Sequence, residues 1–213
     1  MIKQVFHLLP LSIQNSFRDA FGKKVRQKVV AQWIKNNSPV PAPHYVKQDI
    51  IDQYGKKYAC PILVETGTYL GDMIEAQRND FKQLYSIELN ETFHANAMNR
   101  FKRFSHITIL KGDSGNVLFD LAPKLTAKTL FWLDGHYSGG ATSSGELECP
   151  IYKELDAIFN NNNLQHIILI DDARCFDGTH DYPTMQELEQ YVAAKNPAYK
   201  IAVAADIIRI TIN

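Results

Sequence analysis

From residue 60 onward, short apolar runs alternate with stretches of helical character, which restricts the chain to a mainly parallel sheet with helices on both faces. Pro61 to Val64, Leu84 to Ile87, Ile107 to Leu110, Thr129 to Leu133 and His166 to Ile170 have the length and the β-branched or aromatic content of buried strands. Helices are expected around Asp72 to Phe81, Glu91 to Phe104, Ser114 to Leu121, Pro150 to Phe159 and Pro183 to Ala194. Lys200 to Ala204 and Ile207 to Ile212 are joined by too few residues for a parallel crossover, so they must pair as an antiparallel hairpin. The expected fold is therefore α/β, a Rossmann-like doubly wound sheet with a C-terminal antiparallel hairpin. Ligands of such open sheets lie beyond the carboxyl ends of the strands. That is where the polar residues of this chain collect.

The first strand runs into Glu65-Thr66-Gly67-Thr68-Tyr69-Leu70-Gly71. Gly67 permits a tight turn and close approach of a ligand, and Gly71 lets the next helix pack near the strand. The loop is not a G-x-G-x-x-G dinucleotide fingerprint, and Glu65 at its mouth would repel a pyrophosphate. A carboxylate there suits a cofactor with a cationic amino group, a sulfonium and no phosphate, namely S-adenosylmethionine. The second strand ends in Glu88, about 20 residues past the turn, where a carboxylate can accept from both ribose hydroxyls. After the third strand comes Gly112-Asp113-Ser114, and Asp113 is a candidate acceptor for an adenine amino group. Each piece alone reads equally as capping or turn chemistry. Their succession after three expected strands points to a nucleoside site.

The fourth strand delivers Asp134-Gly135-His136, and the fifth delivers Asp171-Asp172. Three carboxylates at neighbouring strand ends repel one another unless something positive compensates, and oxygen-only ligands suit a hard divalent cation, magnesium before zinc. An Asp-Asp pair after a strand is equally an N-cap and turn. His136 reads either as a base for a substrate hydroxyl or as an imidazole bonded to loop backbone. His180 is a weaker candidate on loop position alone. Gly139 to Glu148 reads as a closing flap or as an ordinary long loop.

With its Glu-x-Gly-x-x-x-Gly turn followed by Glu88, the chain resembles the class I S-adenosylmethionine-dependent methyltransferases, and within them the metal-dependent catechol and macrocin O-methyltransferase groups. The resemblance covers roughly residues 60 to 213. It implies cofactor contacts at Glu65, Gly67, Thr68, Tyr69, Gly71, Glu88, Asp113, Ser114 and Asp134. Tyr69 stands where many class I members have a second glycine. It further implies a magnesium or other divalent ion at Asp134, Asp171 and Asp172. Asp134 and His136 are the candidate catalytic residues, His136 standing where macrocin-type enzymes have the second acid of Asp-Gly-Asp. The implied activity is methyl transfer to a hydroxyl of a small molecule or sugar. Two alternatives remain open: metal-independent N-methylation, and a binding protein that keeps the fold without the reaction.

Two domains are expected: a basic helical extension over 1–55 and the methyltransferase domain over 56–213. In the extension Ile13, Phe17, Phe21, Val25, Val29 and Trp33 recur every fourth residue, ahead of Pro39, Pro41 and Pro43. Residues 1–35 carry Lys3, Arg18, Lys23, Lys24, Arg26, Lys28 and Lys35 against Asp19 alone. This segment reads as a cap over the substrate, a homodimer surface, or a peripheral contact with anionic membrane. Overall, 23 Lys and Arg balance 23 Asp and Glu, so no general basic field argues for nucleic acid. Three widely spaced cysteines without a C-x-x-C pair exclude a disulfide framework and a zinc site. These cysteines make a reducing cytoplasm the expected setting, and a soluble protein is expected because the apolar residues from Val5 to Leu11 are broken by His7 and Pro10 and no run approaches the about 20 that a membrane span needs.

Overall fold

A computed structural model describes residues 11–134 and 149–212; at 11–21, 23 and 162 only the backbone is described. The chain divides into two compact units, Met1–Lys47 and Gln48–Asn213. The division falls eight residues before the expected one, inside a helix.

In the first unit, α1 spans Leu11–Lys35. Residues spaced by four advance about 40° beyond a full helical turn, so the apolar stripe winds around α1 instead of forming one face. Val25, Val29 and Trp33 are half-buried, and the Trp33 indole N–H donates to the Pro39 carbonyl at 2.7 Å, closing the turn beyond the helix. The next helix, α2 (His44–Lys57), runs across the division.

The second unit contains a seven-stranded sheet in the order β3-β2-β1-β4-β5-β7-β6. Its parallel strands are β1 (Ile62–Thr66), β2 (Gln83–Glu88), β3 (Ile107–Lys111), β4 (Thr129–Leu133) and β5 (Ile167–Ile170). The expected hairpin is β6 (Tyr199–Ala204) with β7 (Ile207–Ile212), and β7 pairs antiparallel with β5. Strand order reverses between β1 and β4, which opens a crevice above their carboxyl ends.

Connecting helices are α3 (Asp72–Gln77), α4 (Glu91–Phe101), α5 (Ser114–Leu121), α6 (Ile151–Phe159) and α7 (Met185–Lys195). Helices α3 and α4 stop short of the expected ends because turns intervene: Asp80 N bonds to Gln77 O, and Phe104 N to Phe101 O. On one face Ile62, Val64, Phe131, Leu133, Ile168 and Ile170 pack with Leu118 and Leu121 of α5, Leu155 and Ile158 of α6, and Leu188 and Val192 of α7. The alternate residues Leu63, Leu84, Leu130, Trp132 and Leu169 are fully buried too, so the opposite face is also covered. Strands buried on both faces account for the unbroken apolar runs in the sequence. No helix among the described residues is long and apolar enough to cross a membrane.

Candidate functional site

The last rungs of the sheet fix where the functional loops begin. Beyond the paired strands, Gly67 N still bonds to Ile87 O, Gly112 N to Glu88 O, Asp134 N to Thr66 O and Asp171 N to Leu133 O. Each candidate loop thus leaves from a backbone position held by its neighbour. All four leave at the carboxyl edge.

Glu65, Ser86 and Trp132 lie side by side in register across β2, β1 and β4. Ser86 Oγ donates to Glu65 Oε2 at 2.5 Å, and Thr68 Oγ1 lies 2.6 Å from Ser86 Oγ. Burial pushes the Glu65 carboxyl up to about 8; the Ser86 hydroxyl pulls the other way, and the nearby Glu88 and Asp72 carboxylates add to the rise. A buried acid held neutral until a cation arrives fits an ammonium-bearing ligand.

Gly67 and Gly71 both have left-handed φ, 82° and 77°, as the turn requires. A Cβ on Gly71 would come within 2.8 Å of the Phe101 ring, so this glycine also serves the close packing of α4. Tyr69 adopts φ 49° and its ring meets Phe93 edge-on at 4.9 Å, with about half of its surface exposed beside the crevice.

Glu88 is buried and held from both sides. Tyr69 N donates to its Oε2 at 2.8 Å and Asn90 N to its Oε1 at 2.7 Å. Each oxygen keeps one further lone pair, the number that two ribose hydroxyls need. Asp113 is the N-cap of α5, accepting from Asn116 N at 3.3 Å, so part of its acceptor capacity serves the helix. Ser114 is buried below it. The buried Glu65 acid and the oriented Glu88 carboxylate fit S-adenosylmethionine.

At the other side of the crevice Asp134 is half-buried, its N–H shared between the carbonyl and the hydroxyl of Thr66 at 3.2 Å each. Asp171 is buried and accepts from Asp172 N at 2.9 Å. Asp172 turns the chain with φ 57° and pairs with Arg174, whose Nη1 lies 2.8 Å from its Oδ1. The same Nη1 donates to Asp206 Oδ2, from the turn between β6 and β7. Desolvation lowers the Arg174 pKa, but the bonds to Asp172 and Asp206 outweigh it and hold the guanidinium above its ordinary value.

Neighbouring strands do bring Asp134, Asp171 and Asp172 to one edge, as expected. They do not converge: among the described residues, no three His, Cys, Asp or Glu side chains form a group able to hold a metal ion. The expected positive partner of Asp172 is a guanidinium. These residues therefore do not fit a divalent ion as they stand. His136 and the Gly139 to Glu148 segment lie outside the described residues, and His180 is exposed with φ 52°.

Four further groups stand at the site beyond those expected from the sequence. Arg174 and Asp206 meet only through the tertiary fold. Tyr182 packs edge-on against Phe176; burial, with Cys149, Cys175, Asp172 and Asp134 nearby, raises its phenol well above the ordinary value. Glu154, wholly enclosed on α6, is pushed by burial up to about 7, while the Ser114 and Thr66 hydroxyls hold it down. Neither Glu154 oxygen makes a hydrogen bond of full geometry among the described residues. Its signal was present: an acid on the same helical face as Ile151, Leu155 and Ile158.

No protein-family model and no curated protein matches this sequence. Among solved structures, the SAH-bound Podospora anserina methyltransferase PaMTH1 superposes with a TM-score of 0.57 at 15% identity, covering 96% of this chain and 98% of that one. An O-methyltransferase from Bacillus cereus in complex with SAH gives 0.56 at 12% identity, covering 88% and 90%. The O-methyltransferase TomG from Streptomyces achromogenes, in complex with SAM, gives 0.56 at 13%, covering 88% and 89%. Similarity this low in sequence and this extensive in structure establishes the fold: the chain has the Rossmann-like fold of the class I S-adenosylmethionine-dependent methyltransferases.

Proposed function

We propose that this protein is an S-adenosylmethionine-dependent methyltransferase that acts on a hydroxyl of a small molecule or sugar. The observation that carries the proposal is the pair of acids at the carboxyl ends of β1 and β2: Glu65 buried and bonded by Ser86, Glu88 oriented by two backbone amides. The fold shared with solved O-methyltransferases supports it.

In this proposal Glu65 faces the ammonium of the cofactor, Glu88 accepts from the ribose, and the free acceptor capacity of Asp113 takes the adenine amino group. Gly67, Thr68, Tyr69, Gly71, Ser114 and Asp134 complete the contact. S-adenosylmethionine, when bound, supplies the methyl group and leaves as the neutral thioether. His136, two residues beyond Asp134 in the sequence, is the proposed base that would take the proton of the acceptor hydroxyl. The remaining contribution of the protein is to hold donor and acceptor in line. The magnesium expectation has no step here, because Asp172 is paired with Arg174.

Calorimetric titration with S-adenosylmethionine tests the proposal. Binding is expected to saturate at one site, and Glu88→Ala should weaken it by about 1.5–3 kcal/mol, the scale of hydrogen bonds to a charged group. A wild-type protein that binds no S-adenosylmethionine would sink it.

A further inference from the structure

The carboxylates after β5 are organised around Arg174. Its backbone N–H donates to Asp206 Oδ1 at 2.9 Å, Ala173 N donates to Asp206 O at 2.9 Å, and Nη1 bridges Asp206 and Asp172. Asp206 is buried, so this is a clamp between the end of β5 and the β6–β7 turn, and not a loose surface pair. Within it the left-handed Asp172 presents Oδ1 to the guanidinium at 2.8 Å, while Asp171 Oδ1 is taken by Asp172 N.

A hard divalent ion needs several carboxylate oxygens facing one point at short range. To supply Asp172 to such an ion, the chain would have to break the ion pair with Arg174. Arg174 would then share one remaining carboxylate, and removing a partner from a partly buried charge cluster is destabilising. A guanidinium, in contrast, is permanently charged and needs no uptake from solution.

We propose that Arg174 is a positioning residue whose fixed charge takes the place of a divalent cation beside Asp172, so that the acceptor site of this protein works without metal. The proposal rests on the methyltransferase reading above.

The test is a titration of the full chain with Mn2+ alone, followed by electron paramagnetic resonance, on wild type, Arg174→Ala, Arg174→Lys and Asp172→Ala. Wild type should show no saturable site up to millimolar Mn2+. Arg174→Ala, with Asp172 released, should bind Mn2+ at least about tenfold more tightly, a change of about 1.4 kcal/mol. Arg174→Lys, which keeps the charge, should stay like wild type. A wild-type site in the micromolar range that Asp172→Ala abolishes would overturn the proposal, as would an Arg174→Ala protein that binds Mn2+ no better than wild type. Should Arg174→Ala fail to fold, the wild-type and Asp172→Ala titrations still decide the matter. Calorimetry with S-adenosylhomocysteine on the same samples tests the methyltransferase reading separately, since Arg174 touches none of the proposed cofactor groups.

Discussion

Glu65 carries its proton where an ordinary carboxyl would have lost it, and this has two consequences of opposite sign. In the ligand-free protein its pKa rises from 4.5 to about 8, so the unfolded chain ionises first. The stability contributed by this group is complete below 4.5 and is lost as pH rises through 8. A bound ammonium favours the ionised form, so cofactor affinity should increase as pH rises from 6 to about 8 and binding should release a proton. Calorimetry in two buffers of different ionisation enthalpy measures that proton, and Glu65→Gln should abolish both effects. Proton uptake on binding would contradict this account. Both Glu65 and Glu88 were legible in the sequence because each directly follows a short strand-like run, Pro61 to Val64 and Leu84 to Ile87, so their position could be read without tertiary information. Arg174 was not legible as a partner, since its contact with Asp206 depends on how β7 docks beside β5.

Among the elements, the strands were the easiest to read and the helix ends the hardest. Burial on both faces marks a parallel strand by composition alone, whereas α3 ends at Gln77 through a local turn that apolar spacing does not encode. The entrance to α3 is constrained by Gly71, and Gly71→Ala combines a left-handed φ with a 2.8 Å approach to Phe101. Its expected cost is about 1–3 kcal/mol, readable as a lower midpoint in urea unfolding. At the opposite end of the sheet, fully buried His166 joins the starts of β4 and β5, its Nδ1 accepting from Thr129 N at 3.1 Å. Burial lowers its pKa from 6.5 to about 4, with the Asn161 backbone opposing and Lys128 assisting. Below pH 6.5 the unfolded chain takes up a proton that the folded chain refuses until about 4, so stability should fall across that window. Thermal melts at pH 7 and pH 5 should differ by less in His166→Asn, which keeps an acceptor and removes the titration.

For the whole molecule, Ser86, Asn90 and Trp132, which bond or flank the two proposed cofactor acids, belong with them to the unit Gln48–Asn213. A chain beginning at His44, which keeps α2 intact, should therefore melt cooperatively and bind S-adenosylhomocysteine as the full chain does. Loss of binding would mean that the basic segment completes the site. Sedimentation of the full chain with anionic vesicles at low and high salt tests the membrane reading of that segment, which requires attachment that salt removes. The charge asymmetry of the first 35 residues was plain in the sequence, but its purpose was not, because a winding stripe designates no single face to bury. The clamp at Arg174 also bears on how the protein comes into being. Translation produces the cofactor loops first and Asp206 after every other group named at the site. The loops of the proposed cofactor site therefore leave the ribosome before the Arg174 clamp has its second carboxylate.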